Sequence, residues 1–439
     1  GDGRPVEWRF DKPLGGAGLG AQTLKIASFA AQYAMARLTG SLAGEKIIDA
    51  PTLNGAVKLD PLVVREFLPR LGIEVPKTRD PKVLEKLAAS AQFAYGANAA
   101  KLSGLSIQLD DSKITGNAAI TNLDSMALAF DLALDQIDLD RYLSPDESAP
   151  RPDEKPVELP SEKLKALDAN GRFSINRARL AGIDLTHVQL TVRAKDGVIR
   201  LDPLKAQLYG GQTDGELTYD ASGKVPGVRM TQQMTGVDVA QVLKATIKSD
   251  RLSGRANLGM RLSGQGRTSE ALIKDLGGHV DMNVADGAVE GIDLWNDISR
   301  AQALFEKRPI PPASTTRRTR FDTLKASADI AGGVASMKDI NVASQNLRVT
   351  GTGTANLASR AIDYRILVRL LKTPPGQGED IGKLALADIP VNITGTMADP
   401  KVRPDLEGIA RAALQKKIDE KKDELKQKLG NKLLDLLSR

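Results

Sequence analysis

Cysteine is absent from this chain of 439 residues, histidine occurs twice, and aromatic residues make up only 4%. The missing cysteine excludes disulfides, thiol nucleophiles and thiolate metal sites. It fits a reducing cytosol and equally a periplasm in which disulfides are optional. With eight Phe and two Trp in a chain that is 41% hydrophobic, Ala, Val, Ile and Leu must supply most of the buried surface. No apolar run reaches the roughly 18 residues of a spanning helix, the longest candidate being IASFAAQYAMA at 26–36, and none of the segments is expected to be a secretory leader. The first residues, GDGRPVEWRFD, run straight into strand alternation with Val6, Trp8 and Phe10 on one face. The expectation is therefore a chain cut from a larger protein whose N-terminal anchor lies outside it.

A strong charge of one sign is also lacking. The 61 basic and 55 acidic residues leave a net charge of +6 with the signs interspersed, a balance that does not point to nucleic acid. Arg317, Arg318 and Arg320 follow the proline-rich KRPIPPASTT and read as a solvated loop rather than a phosphate-binding patch.

What the sequence does have is alternation. Segments of 5–11 residues place apolar side chains at every second position, with Gly, Asn or Asp between the segments, the signature of half-buried strands. Five stripes alternate cleanly: Phe130, Leu132 and Leu134; Val188, Leu190 and Val192; Leu258, Met260 and Leu262; Val280, Met282 and Val284; and Ile362, Tyr364, Ile366, Val368 and Leu370. A loose repeat of strand, turn, strand, glycine and strand joins SIQLDDSKITGNAAI, QLTVRAKDGVIRLDPLKAQLYGGQTDGEL and KASADIAGGVASMKDINVASQNLRVTGTGTA. It suggests a sheet that grows by adding neighbours. Helical spacing is confined to 60–73, to 293–305 with Leu294, Ile298, Ala301 and Phe305 on one face, and to a long amphipathic stretch from Asp405 to about Leu437. The proline-rich, acidic 144–163 reads as a linker or loop. The expected organisation is thus 1–143, the linker at 144–163, a second β region at 164–404, and a C-terminal helix at 405–439.

Residues suited to catalysis do not converge. His187 and His279 both fall on the polar side of strands and are far apart in sequence, so they read as exposed strand histidines. GGAGLGA at 15–21 lacks the preceding strand and following acid of a dinucleotide site. GEDIGKL at 378–384 is one residue short of a phosphate loop, and both read as loops. The paired aspartates of LDDS at 109–112 and QIDLDRYL at 136–143 read as surface solubilisation. No enzyme, cofactor or metal is expected.

Four segments in order, FDLALDQIDLDRYL at 130–143, LDPLKAQLYGGQTDGEL at 201–217, GAVEGIDLWNDI at 287–298 and ADIPVNITGTMADPKVRPDLEGI at 387–409, resemble the AsmA family. The resemblance covers nearly the whole chain and corresponds to the C-terminal two thirds or so of a family member. It implies an envelope protein of Gram-negative bacteria, tethered to the inner membrane by an N-terminal helix and projecting into the periplasm. It also implies kinship to the bridge-like TamB proteins. The implied fold is mainly β (α+β): an elongated, curled, largely antiparallel sheet forming an open apolar groove, with short flanking helices and the C-terminal helix. The implied role is carriage of phospholipid between the two membranes, with the five stripes lining the groove. The alternative is a scaffold or chaperone-like factor for outer-membrane protein assembly that works through an exposed sheet edge. Alternation alone is equally compatible with two facing sheets.

Overall fold

The computed structural model describes residues 7–9, 15–18, 22–143, 164–305, 307–313, 315, 317–371, 388–405 and 422. Val6 and Phe10, the 144–163 segment, the stretch 378–384 and nearly all of the helix expected from Asp405 onward lie outside these residues. The described chain is mainly β and divides into two compact units, 1–235 with 262–272, and 236–261 with 273–439.

Unit 1 opens with β1 (Glu7–Arg9) and β2 (Gly15–Gly18), both paired with β3 (Thr23–Tyr33). The first glycine motif is thus partly strand, because β3 offers it a ladder that the sequence does not reveal. There follow β4 (Ala36–Glu45), β5 (Thr52–Leu62), β6 (Leu87–Gly96), β7 (Ala99–Leu109), β8 (Ser112–Asn122) and β9 (Ala127–Asp138). Then come β10 (Ala169–Leu180), β11 (Ile183–Lys195), β12 (Val198–Leu208), β13 (Gly211–Asp220) and β14 (Gly227–Asp238). From β3 to β14 each strand pairs with the next, antiparallel everywhere except between β9 and β10. That pair is parallel because the 30 residues between Asp138 and Ala169 carry the chain back to the end at which β9 began. Among the described residues of this unit no strand pairs back to close a barrel.

Unit 2 contains β16 (Gly277–Glu290), β17 (Arg318–Ala331), β18 (Val334–Ala343), β19 (Leu347–Asn356), β20 (Ala361–Leu370), β21 (Asp388–Thr396) and β22 (Pro400–Pro404), each antiparallel to the next. The division between the units passes through the end of β14, through β15 (Leu252–Gln265) and through the helix Ser269–Asp275.

Three segments end in the same local motif. Ile137-Asp138-Leu139, Val237-Asp238-Val239 and Ile292-Asp293-Leu294 each place an aspartate before a helical turn, where its carboxylate accepts a free backbone N–H. Asp138 accepts from Asp140 at 3.1 Å, Asp238 from Gln241 at 3.2 Å and Asp293 from Asn296 at 3.1 Å. The elements so started are a 3-10 turn, Leu139–Arg141, and the helices Val239–Ile247 and Leu294–Phe305. The helix expected at 60–73 is cut short. β5 runs on through Leu62, only Val64–Phe67 is α-helical, and Pro69 sits in the 3-10 turn that follows. Arg318 and Arg320 lie in β17 rather than in a loop, and Arg318 pairs with Glu290 at 2.9 Å.

Candidate functional site

Strand register decides which apolar side chains become neighbours. In unit 1 one row passes through Ile26, Leu42, Gly55, Phe93, Leu102 and Ala118, each cross-strand from the last. It continues through Phe130, Gly171, Val192, Leu201, Leu217 and Met230. Twelve strands contribute, and every member is apolar or glycine. A second row runs from Ala31 through Leu38, Leu59, Ala89, Ile107, Ile114, Leu134 and Ile175 to Val188.

These rows join two of the expected stripes. Phe130, Leu132 and Leu134 lie opposite Gly171, Phe173 and Ile175 of β10, which in turn face Val192, Leu190 and Val188. Leu134 and Val188 are buried, and the other four are half-buried. β10 was missed as a lining strand because Asn170, Arg172 and Ser174 interrupt a short run whose small members, Ala169 and Gly171, barely register as apolar. Gly171 is required there, since a Cβ would lie 2.5 Å from the Phe130 ring; without one, the ring lies across the neighbouring strand.

In unit 2 the row through Val280, Ala328, Met337, Gly353, Tyr364, Ile393 and Val402 crosses seven strands. A parallel row joins Val284, Leu324, Val342, Val349, Val368 and Ile389. The two rows differ in what covers them. Trp295 packs on Leu347, Val349, Ile366, Val368, Leu370, Ile389 and Val391, and Val239 packs with Val284 and Phe321. Val284, Val368 and Leu370 have no exposed surface, whereas Val280, Met282, Ile362 and Tyr364 are half-buried. Leu258, Met260 and Leu262 of β15 are also half-buried.

The aspartates taken for surface solubilisation have structural work instead. Asp110 accepts the N–H groups of Leu84, Glu85 and Lys86 at 2.7, 2.8 and 3.1 Å and the Tyr142 hydroxyl at 2.7 Å. Desolvation pushes its carboxyl up, but Tyr142 and the three N–H groups outweigh that and hold it below the ordinary range. Arg141 donates to Asp80 at 2.8 Å and to Asp111 at 3.0 Å, and Asp140 takes the N–H groups of Ala181 and Gly182 at 2.6 and 2.7 Å. Three consecutive residues, Asp140 to Tyr142, thereby tie together the 80–86 segment and two strand turns. The signal was available in Asp spacing at turns, but only the fold shows which N–H groups are free to be bound.

Both histidines are exposed, as their strand positions suggested. His187 sits at a bulge of β11 with φ 49°, between the register positions of Thr186 and Gln189. His279 is held by Asp329 at 2.8 Å and Asp281 at 3.1 Å, which raise its pKa above the usual imidazole value.

A model of the AsmA family matches residues 19–340. The chain belongs to the AsmA family. It is 22% identical over 371 residues to protein AsmA of Escherichia coli (strain K12), covering 79% of this chain and 60% of that protein. It is 23% identical over 249 residues to the AsmA family protein YhjG of the same organism, covering 55% of this chain and 33% of that protein. The chain thus spans less than two thirds of the length of either relative, and AsmA family proteins belong to the cell envelope. No solved structure gives a significant match. Among the described residues no helix is long and apolar enough to cross a membrane.

Proposed function

We propose that this AsmA-family chain is the lipid-handling part of a periplasmic protein, tethered to the inner membrane by a segment outside it, that carries phospholipid towards the outer membrane. The observation that supports this most is the unbroken apolar row across twelve strands of unit 1. Eleven inter-strand steps of about 4.8 Å give roughly 50 Å along the sheet, against about 15 Å for the acyl layer of one leaflet. Such a face accommodates more than one lipid in series. Each methylene exposed to water costs about 0.8 kcal/mol, so a lipid with some thirty of them is penalised by roughly 20–25 kcal/mol outside a membrane. A continuous apolar wall removes that barrier without catalysis, cofactor or metal.

Burial sharpens the assignment of the lining. Val284, Val368 and Leu370 lie under protein and support the wall, while Phe130, Leu132, Leu190, Val192, Val280, Met282, Ile362 and Tyr364 keep surface for a ligand. Lipid extraction and native mass spectrometry of the purified chain test the reading, with bound diacyl phospholipid expected. A lipid-free protein that instead captures an unfolded outer-membrane strand would replace it with the scaffold reading.

A further inference from the structure

The half-buried part of the unit 2 face contains one hydroxyl in otherwise apolar surroundings. Tyr364 has Ala355, Gly353 and Gly351 of β19 on one side and Gly395, Ile393 and Val391 of β21 on the other. None of these carries a polar side-chain atom. Gly353 leaves the space that the Tyr364 ring occupies, so the ring lies across β19 instead of standing off the sheet. The hydroxyl makes no hydrogen bond to another described residue, and burial alone raises its pKa. It therefore stays a neutral donor. Arg365 and Arg369 alternate onto the opposite face, where Arg369 is engaged with Asp388 at 2.7 Å. Among the described residues of these three strands no cation shares the face of the phenol, so a charged phosphate is poorly matched to this position and a neutral acceptor is well matched.

We propose that Tyr364 donates to an ester carbonyl oxygen of a diacyl lipid and so fixes how deep the lipid sits, with its chains over Val280, Met282 and Met337. This rests on the lipid-carrying reading and adds a position and a chemical group to it. A tyrosine hydroxyl usually finds a partner once water is excluded from it, and over a half-buried ring a lipid that displaces water supplies that partner through its carbonyl.

The test strips the purified chain of lipid and exchanges it against vesicles of a diester phosphatidylcholine or of its diether analogue, which lacks the carbonyls. Bound lipid is counted by native mass spectrometry. The wild-type chain is expected to retain the diester roughly three- to tenfold better than the diether, the worth of one neutral hydrogen bond. Tyr364→Phe, which keeps the ring, is expected to melt unchanged and to retain both lipids at the lower level. Equal diester retention by the two proteins overturns the inference and leaves the lipid reading intact. Equal loss of diester and diether in Tyr364→Phe overturns the ester assignment, because the acceptor is then common to both lipids. Uptake of neither lipid by the wild type overturns the inference together with the reading beneath it.

Discussion

The two units carry similar apolar rows and secure them by different chemistry. In unit 1 the strand turns at one end are tied by ionised carboxylates, Asp110 above all, acting on backbone N–H groups and on Tyr142. In unit 2 the face is covered by side chains from two helices, with Trp295 packed in one cluster with seven other buried apolar residues and Val239 beside Val284. A carboxylate holds only while it is charged, and an indole holds at any pH. Because the Asp110 pKa is depressed in the fold, its contribution is present above the unfolded value of about 3.9 and is lost as pH falls through the folded value. Acid below the ordinary carboxylate range should therefore loosen unit 1 at the 80–86 segment and leave the Trp295 packing of unit 2 in place.

Substitutions break this comparison in graded steps. The largest effect is expected from Val284→Asp, which puts a lone carboxylate where no surface is exposed. Unit 2 should lose at least about 4 kcal/mol, while the same change at half-buried Val280 should cost about 1 kcal/mol and mainly reduce bound lipid. Urea unfolding with lipid counting separates the two, and equal cost at both sites would mean that the whole stripe of that strand is protein core. Trp295→Ala should cost about 3–4 kcal/mol, with hydrogen exchange accelerating in β19 to β21 and not in unit 1. Acceleration throughout both units would show that they unfold together.

Asp110→Ala should cost about 2–3 kcal/mol by stranding three N–H donors and the Tyr142 hydroxyl, with its exchange signature at Leu84 to Lys86. The penalty should shrink as pH falls through the depressed folded value, where the wild-type carboxylate is itself protonated. The smallest effect belongs to His279, exposed between Asp281 and Asp329. Its raised pKa means that the stabilisation is complete below about 6.5 and disappears as pH rises through the folded value. NMR titration should give a midpoint above 6.5 that moves part of the way back to the ordinary value in Asp329→Ala, Asp281 remaining in place; an unshifted wild-type midpoint would remove the ion pair from the account.

Much of this was legible because period-two alternation is a local property. The stripe at 362–370 states its own face, and the structure places those residues in one strand with alternate exposure. β10 was not legible as part of the same face, since its apolar residues are small and its parallel pairing with β9 depends on where the intervening chain returns. Nor could spacing tell Val280 from Val284. They share a strand, a residue type and a face, and differ only in the presence of Val239 and Phe321, the latter 37 residues further along the chain from Val284.

By itself the sequence determined that the chain is a β meander with one apolar side, because backbone geometry turns alternate residues to opposite faces whatever lies nearby. It also determined the family, through segments that now prove to contain the Asp138, Asp140 to Tyr142 and Asp293 anchors. Only tertiary structure decided which rows align, which part of the face is covered by Trp295 and which keeps surface, and that the Tyr364 hydroxyl is left without a protein partner among the described residues. Register and coverage come from contacts between residues distant in the chain, whose closure entropy and packing no local pattern encodes.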